Sequence, residues 1–218
     1  MKATYLLYRK NNGPFLSAFA LIWFVFLLVA LEYSRINAHM LLNSYHTPFL
    51  DTFFEYITYI GGGFPVYLGI ALCFYNLRHG LYILLSQGVT AIFTQAFKYS
   101  FAHPRPLTYF NELGLSLPPT VEGVHIWDAH NSFPSGHTSA TFALCACLAA
   151  ITPPKYRYLQ FVWLLLGWLG AYSRIYLSQH FVDDILFGSI IGVVCAAGMY
   201  IVLFQKEWGN RPLIKYKR

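Results

Sequence analysis

Charge is what this sequence has least of. Only 11% of its 218 residues are charged while 56% are hydrophobic, against roughly 25% charged in an ordinary soluble domain. That balance indicates a membrane protein. Acidic residues are fewer than basic ones, 9 against 15, but the basic residues are spread over short loops and form no single patch with base-stacking aromatics, which excludes nucleic acid as the partner. Cysteine is scarce as well. Cys73, Cys145, Cys147 and Cys195 all fall within apolar runs, so they read as small buried residues and no disulfide framework is expected. A cleavable leader is not expected either. "FLSAFALIWFVFLLVALEY" follows Lys2, Arg9 and Lys10 as a signal sequence would, yet it exceeds the usual apolar run of about 7 to 15 residues, and no convincing small-x-small cleavage site follows.

What the chain does have is six uncharged or nearly uncharged stretches, at residues 11–31, 56–77, 80–97, 138–154, 158–173 and 185–205. A hydrocarbon core of roughly 30 Å, at about 1.5 Å rise per residue, asks for about 20 residues. The fifth stretch is somewhat short, and its flanking Arg157 and Arg174 can snorkel to compensate. The expected fold is therefore all-α: a polytopic membrane protein of six transmembrane helices, with residues 1–218 forming one membrane-embedded domain. Placing the N-terminus in the cytoplasm puts Lys2, Arg9, Lys10, Arg78, Lys155, Arg157, Lys206, Arg211, Lys215, Lys217 and Arg218 inside. Only Arg35, Lys98, Arg105 and Arg174 then face outward. Eleven against four is a positive-inside bias, and it orients both termini to the cytoplasm.

The polar residues of the outer face fall into three blocks. "KYSFAHPRP" carries Lys98 and, seven residues on, Arg105-Pro106; "FPSGHTSA" opens the fourth stretch; "YSRIYLSQHFVDD" joins the fifth to the sixth. Lys98, Arg105 and Arg174 suit a multiply charged anion such as phosphate, the arginines through bidentate hydrogen bonds. Ser135-Gly136-His137 at a helix start adds free N–H groups and a partial positive charge. His180 and Asp184 are four apart, one helical turn, so the carboxylate can accept a proton from one ring nitrogen and leave the other free to attack. Each block alone has an ordinary explanation, as a helix anchor, a helix start or a chance pairing. Their joint placement on one face points to chemistry there.

Taken together, "KYSFAHPRP", "PSGH" and "SRIYLSQHFVDD" resemble the signature of the type-2 phosphatidic acid phosphatase superfamily, which includes bacterial acid phosphatases and vanadium haloperoxidases. That signature is Lys-x6-Arg-Pro, Pro-Ser-Gly-His and Ser-Arg-x5-His-x3-Asp, complete and in order over residues 98–184. The resemblance implies an integral-membrane lipid phosphatase with its site at the periplasmic or outer face. His180 would be the nucleophile that forms a phosphohistidine, Asp184 its orienting carboxylate and His137 the general acid. Lys98, Arg105, Ser135, Gly136 and Arg174 would hold the phosphoryl oxygens, with no metal and no other cofactor. The substrate would be a membrane lipid phosphate of the undecaprenyl pyrophosphate, lipid A, phosphatidylglycerophosphate or phosphatidic acid class. Short loops and the lack of an organelle signal suit a bacterial inner membrane.

Two other readings of the same anion pocket are a non-catalytic lipid-phosphate binder or transporter and a vanadium-dependent haloperoxidase. The complete His137, His180 and Asp184 set disfavours the first, and the six spans with a lysine-led first motif disfavour the second. The remaining polar residues are assigned lesser parts. Asp183 is a solvated neighbour of Asp184, and His103 a bystander in the first block. His125, Asp128 and His130 of "HIWDAH" fit no standard zinc spacing and take a loop role. Tyr109, Phe110 and Trp127 are expected as interfacial anchors, and Glu112, Glu122 and Asp128 as possible contacts to a sugar or amine headgroup.

Overall fold

The computed structural model describes residues 1–205 and 209, and among these every regular element is helical. Lys206, Arg211, Lys215, Lys217 and Arg218, which the charge count placed inside, lie outside the described residues. The chain runs α1 (Lys2–Glu32), α2 (Arg35–Leu42), α3 (Pro48–Ile57), α4 (Phe64–Tyr75), α5 (Leu77–Ser100), α6 (Pro106–Glu112), α7 (Gly136–Ile151), α8 (Leu159–Tyr176) and α9 (Val182–Leu203).

Local chemistry sets where these helices begin. Ser34, Thr47, Asn76 and Ser135 each turn a side-chain oxygen onto a backbone N–H of the first turn of α2, α3, α5 and α7, satisfying a donor that has no intrahelical partner. Pro48, Pro65 and Pro106 occupy first-turn positions, where their missing N–H costs nothing.

By length and composition, α1, α5 and α9 are long and apolar enough to cross a membrane. The pair Pro48–Gly61 and Phe64–Tyr75 makes a fourth crossing if its two arms, bent by 54°, count as one. The bend divides the stretch 56–77 that the sequence pattern made continuous. Its cause is Gly61-Gly62-Gly63, since glycine weakens a helix by about 1 kcal/mol per residue. Gly61 is also held to its identity by packing: a Cβ there would lie 2.3 Å from the carbonyl oxygen of His137 and 2.5 Å from Thr141 Oγ1. The break thus presses the chain onto the first turns of α7.

Helix α7 is the centre of the bundle. Its small side chains Ser139 and Ala143 are buried, and they let α9 approach so closely that a Cβ on Gly192 would meet Ser139 O at 2.3 Å and Ala143 N at 2.7 Å. Phe19 and Phe26 of α1 stack on Trp168 of α8, with ring centroids 5.9 and 5.0 Å away. All four cysteines are buried and free, as their place in apolar runs predicts.

Two groups of polar contacts form among the described residues. In one, Arg157 donates to Lys10 O, Gln160 Oε1 accepts from Phe15 N at 3.2 Å, and Arg78 donates to Leu203 O at 3.2 Å. In the other, the ends of α1, α5 and α8 meet the starts of α7 and α9. The three sequence blocks lie in this second group.

Candidate active site

The link from α8 to α9 is a tight turn. Gln179 N and His180 N both donate to Arg174 O, at 2.9 and 3.1 Å, folding the chain back over the end of α8. Ser178 takes a left-handed conformation, φ 50°, to allow this. Asn43, just past the end of α2, braces the turn by donating to Ile175 O, Tyr176 O and Ser178 Oγ at 2.7, 3.0 and 2.9 Å. His39 adds a contact to Ser178 Oγ at 3.3 Å, and burial pushes its imidazole down to about 4.

This turn brings His180 and Asp184 together. His180 is 2% exposed and Asp184 fully buried, with His180 Nδ1 3.4 Å from Asp184 Oδ2. The carboxylate is held from several sides. Its Oδ2 accepts from Phe181 N at 2.9 Å and from Ser132 Oγ at 2.5 Å, and its Oδ1 faces Arg35 Nη2 at 3.4 Å. Ser132 Oγ is also 3.2 Å from His180 Nδ1. Burial first, then the charges of Arg105, Arg174 and Lys98 and the nearby His137, hold His180 well below the ordinary histidine value. Its neutral form is the one favoured.

The cations converge from three elements. Lys98, on the last turn of α5, donates to Asn131 O and to Ser132 O, the latter at 3.3 Å. Arg105, just before α6, donates from Nε to Asn131 Oδ1 at 2.7 Å, and its Nη1 faces Gln179 O and Oε1 at 3.5 and 3.4 Å. Burial pulls Arg105 below its ordinary value. Arg174, 7% exposed, gives Nη1 to Thr58 Oγ1 at 2.6 Å while its buried Nε has no partner among the described residues. Three cations brought together in a half-buried setting, with donors uncommitted, are suited to a multiply charged anion.

At the start of α7, Ser135 N donates to Asp184 O at 3.0 Å, which ties the starts of α7 and α9 together. Gly136 and His137 occupy the first turn, whose N–H groups lack intrahelical acceptors. A Cβ on Gly136 would meet only Thr94 Cγ2, at an ordinary 3.7 Å, so protein packing does not demand glycine there. His137 and Arg174 line a polar pocket of about 270 Å³ with Glu55, His125 and Gln179. Tyr59 borders both that pocket and an apolar groove of about 800 Å³, lined by Phe53, Ile60, Leu68, Leu144 and Trp163 among others.

The eight residues singled out from the sequence, Lys98, Arg105, Ser135, Gly136, His137, Arg174, His180 and Asp184, thus lie at one end of the bundle. Other readings change. Asp183 is not merely solvated: Arg35 clamps it with two hydrogen bonds, at 3.2 and 2.7 Å. Phe110 is 1% exposed and packs edge-on to His39, so it belongs to the interior and is no interfacial anchor. Trp127 is 55% exposed. Glu112 pairs with His130 at 2.8 Å and Asp128 accepts from Thr108 at 2.7 Å, so both acids are engaged within the long loop. His103, Asp183 and Asp184 offer three ligand atoms within 4.8 Å of one another, but Arg35 already engages both carboxylates, and a guanidinium in that position opposes a second cation. Arg35, Ser132, Asn131, Thr58 and Gln179 were not singled out from the sequence. Only Arg35, as an outward-facing charge, left any signal there.

The chain is similar to known proteins. The model of the PAP2 superfamily matches residues 79–208. A lipid phosphate phosphatase 1 of Arabidopsis thaliana is 29% identical over 169 residues, covering 66% of this chain and 52% of that protein. A lipid A 4'-phosphatase of Bacteroides thetaiotaomicron is 29% identical over 170 residues, 73% of each. The chain spans about half the length of the Arabidopsis relatives, 52% and 57% for the first two. Among solved structures, Aquifex aeolicus LpxE superposes with a TM-score of 0.65 at 24% identity, over 77% of this chain and 94% of that one. A PAP2-type phosphatidylglycerolphosphate phosphatase of Bacillus subtilis does so with 0.61 at 21%, over 85% and 94%.

Proposed function

This chain belongs to the PAP2 superfamily, and from that membership we propose that it is an integral-membrane lipid phosphatase that works through a phosphohistidine on His180. One observation carries the reading: a buried histidine, backed on Nδ1 by Ser132 and Asp184, lies in the field of Lys98, Arg105 and Arg174. A neutral imidazole facing three cations is suited to attacking an anion that those cations first bind.

Lys98, Arg105, Arg174 and the N–H groups at Ser135 and Gly136 hold the phosphoryl oxygens and neutralise the charge of the five-coordinate transition state. The lone pair on His180 Nε2 attacks phosphorus as the bond to the leaving oxygen breaks, and His137 gives that oxygen its proton. Burial, then Arg174, Arg105 and Lys98, push His137 down to about 3; the negative charge of a bound phosphate offsets those cations and favours the protonated imidazole that the step needs. Water then attacks the phosphohistidine, losing its proton to the neutral His137. The N–P bond breaks, inorganic phosphate leaves and both histidines return to their starting states. Asp184 orients His180 as a carboxylate: burial raises its value, and Arg35, the Ser132 hydroxyl, Phe181 N and Lys98 oppose that rise. The cationic cluster neutralises the charge that a metal neutralises in other phosphatases, so no metal takes part.

The substrate is a lipid phosphomonoester or pyrophosphate, of the undecaprenyl pyrophosphate, lipid A, phosphatidylglycerophosphate or phosphatidic acid class. The apolar groove that meets the polar pocket at Tyr59 supports this, because it gives an acyl or prenyl chain a place beside a bound phosphate. In this reading residues 1–218 act as one membrane-embedded unit of six spans, with both termini in the cytoplasm and the site facing the periplasm of a bacterial inner membrane. Each expected span overlaps a helix or the bent helix pair, though by length and composition only α1, α5, α9 and the bent pair qualify as crossings. Phosphate release by purified protein in detergent, across a panel of these lipids, tests catalysis and substrate class together. Binding without release on every member would replace the enzyme by a lipid-phosphate binder.

A further inference from the structure

We propose that Ser132 is a positioning residue that fixes the tautomer of His180, keeping the proton on Nδ1 so that Nε2 alone meets phosphorus. The proposal rests on the reading of His180 as nucleophile. Ser132 is not one of the signature residues; it lies three positions before Ser135.

The geometry decides how three atoms share two protons. Ser132 is fully buried, as is Asp184, and His180 is 2% exposed, so water cannot supply missing partners. Ser132 Oγ is 2.5 Å from Asp184 Oδ2 and 3.2 Å from His180 Nδ1. A hydroxyl has one proton to give and two lone pairs. The shorter contact, to an ionised acceptor, takes the proton, since hydrogen bonds to charged groups are the shorter and stronger ones. The serine oxygen then presents a lone pair to Nδ1, which must carry a hydrogen to use it. Asp184 Oδ2 reaches the same nitrogen only at 3.4 Å while also accepting from Phe181 N at 2.9 Å, so the hydroxyl is the nearer acceptor. The opposite tautomer would turn the serine proton to Nδ1 and take a donor away from a buried carboxylate, an unfavourable exchange.

Ser132 is itself held in place. Its N–H donates to His103 O at 3.0 Å and its carbonyl accepts from Lys98 Nζ at 3.3 Å. The preceding Asn131 holds Arg105 through Oδ1 at 2.7 Å. One dipeptide therefore ties the nucleophile to two of the three cations, and the hydroxyl of Ser132 reports directly on the ring.

The isomer of the trapped phosphoenzyme is the test. Purified protein is mixed with a lipid phosphate that it hydrolyses and quenched in alkali, in which phosphohistidine survives. It is then digested, and the Nε2- and Nδ1-phosphohistidine isomers are separated. The wild type is expected to yield the Nε2 isomer. Ser132→Ala is expected to lose about 10- to 100-fold in kcat, on the scale known for partners that orient metal-bound histidines. Its KM should change little and the Nδ1 isomer should appear. Ser132→Thr, which keeps the hydroxyl, should recover rate and isomer together. If Ser132→Ala does not fold, Ser132→Cys, similar in size and weaker in hydrogen bonding, takes its place with the same expected direction. A wild-type Nδ1 isomer, or a variant without the hydroxyl that matches wild type in kcat and isomer, overturns the proposal. If no phosphohistidine forms in the wild type, or His180→Ala keeps its activity, the nucleophile reading falls and takes this proposal with it.

Discussion

Arg35 grips Asp183 with a two-pronged contact, Nε to Oδ1 at 3.2 Å and Nη2 to Oδ2 at 2.7 Å, and the same Nη2 reaches Asp184 Oδ1 at 3.4 Å. The guanidinium also lies over the Phe181 ring, 4.4 Å from its centroid. A residue at the start of α2, outside the matched family region, thereby steadies the carboxylate behind His180. Arg35→Ala is expected to lower kcat by about 10-fold, of the order of one charge-assisted hydrogen bond. Arg35→Lys should recover only part of this, because an ammonium cannot reproduce the fork. Steady-state rates on one lipid phosphate decide, and a wild-type rate in Arg35→Ala would remove Arg35 from the account.

Gly61 presses on the α7 start that carries His137. Gly61→Ala puts a methyl group 2.3 Å from His137 O, and the backbone must shift to admit it. Overpacking of this kind costs about 1 to 3 kcal/mol, so a lower melting temperature and a reduced kcat should appear together. An unchanged melting temperature with full activity would show that the α3–α4 bend is not held against α7 as described.

Burial makes His39 reluctant to take a proton, with its value pushed down to about 4. The unfolded chain takes that proton near pH 6.5, so between the two values the unfolded state binds more protons. Stability therefore falls as pH is lowered from about 6.5 to about 4, by up to about 3 kcal/mol from this group. Thermal melting across that range checks it. His39→Gln should flatten the slope, and an identical slope in the variant would assign the effect to other groups.

Chelation separates the cationic cluster from a metal site. Phosphate release should persist in excess EDTA and be inhibited by vanadate, which resembles the five-coordinate transition state. Activity lost on chelation and restored by a divalent ion would turn attention to His103, Asp183 and Asp184, the metal-compatible group among the described residues.

How much of this was legible in the sequence depended on whether a role is written locally. Lys98, Arg105, His137, Arg174, His180 and Asp184 stand at fixed short spacings, so pattern alone could pick them out. The helices were legible for a similar reason, since apolar runs between sparse charges are a one-dimensional signal. Ser132 left no such signal and Arg35 only that of an outward-facing charge, because a serine in a loop and an arginine after a span make their contacts only when α9 is folded against them. Phe110 was misjudged because burial depends on what covers a residue, here His39 of α2. The break at Gly61 was hidden within a stretch whose hydropathy is continuous, and only contact with α7 explains it.

The central claim is that His180 attacks and His137 protonates, and the leaving group tells the two apart. A lipid alkoxide needs its oxygen protonated, whereas an activated aryl phosphate expels a stable phenolate. The deciding measurement is the pair of hydrolysis rates, lipid phosphate and aryl phosphate, for folded His137→Ala and His180→Ala beside the wild type. His137→Ala should lose roughly 10² to 10⁴-fold on the lipid and much less on the aryl ester, while His180→Ala loses both. Equal losses on the two substrates in both variants, or substantial activity left in His180→Ala, would contradict the account.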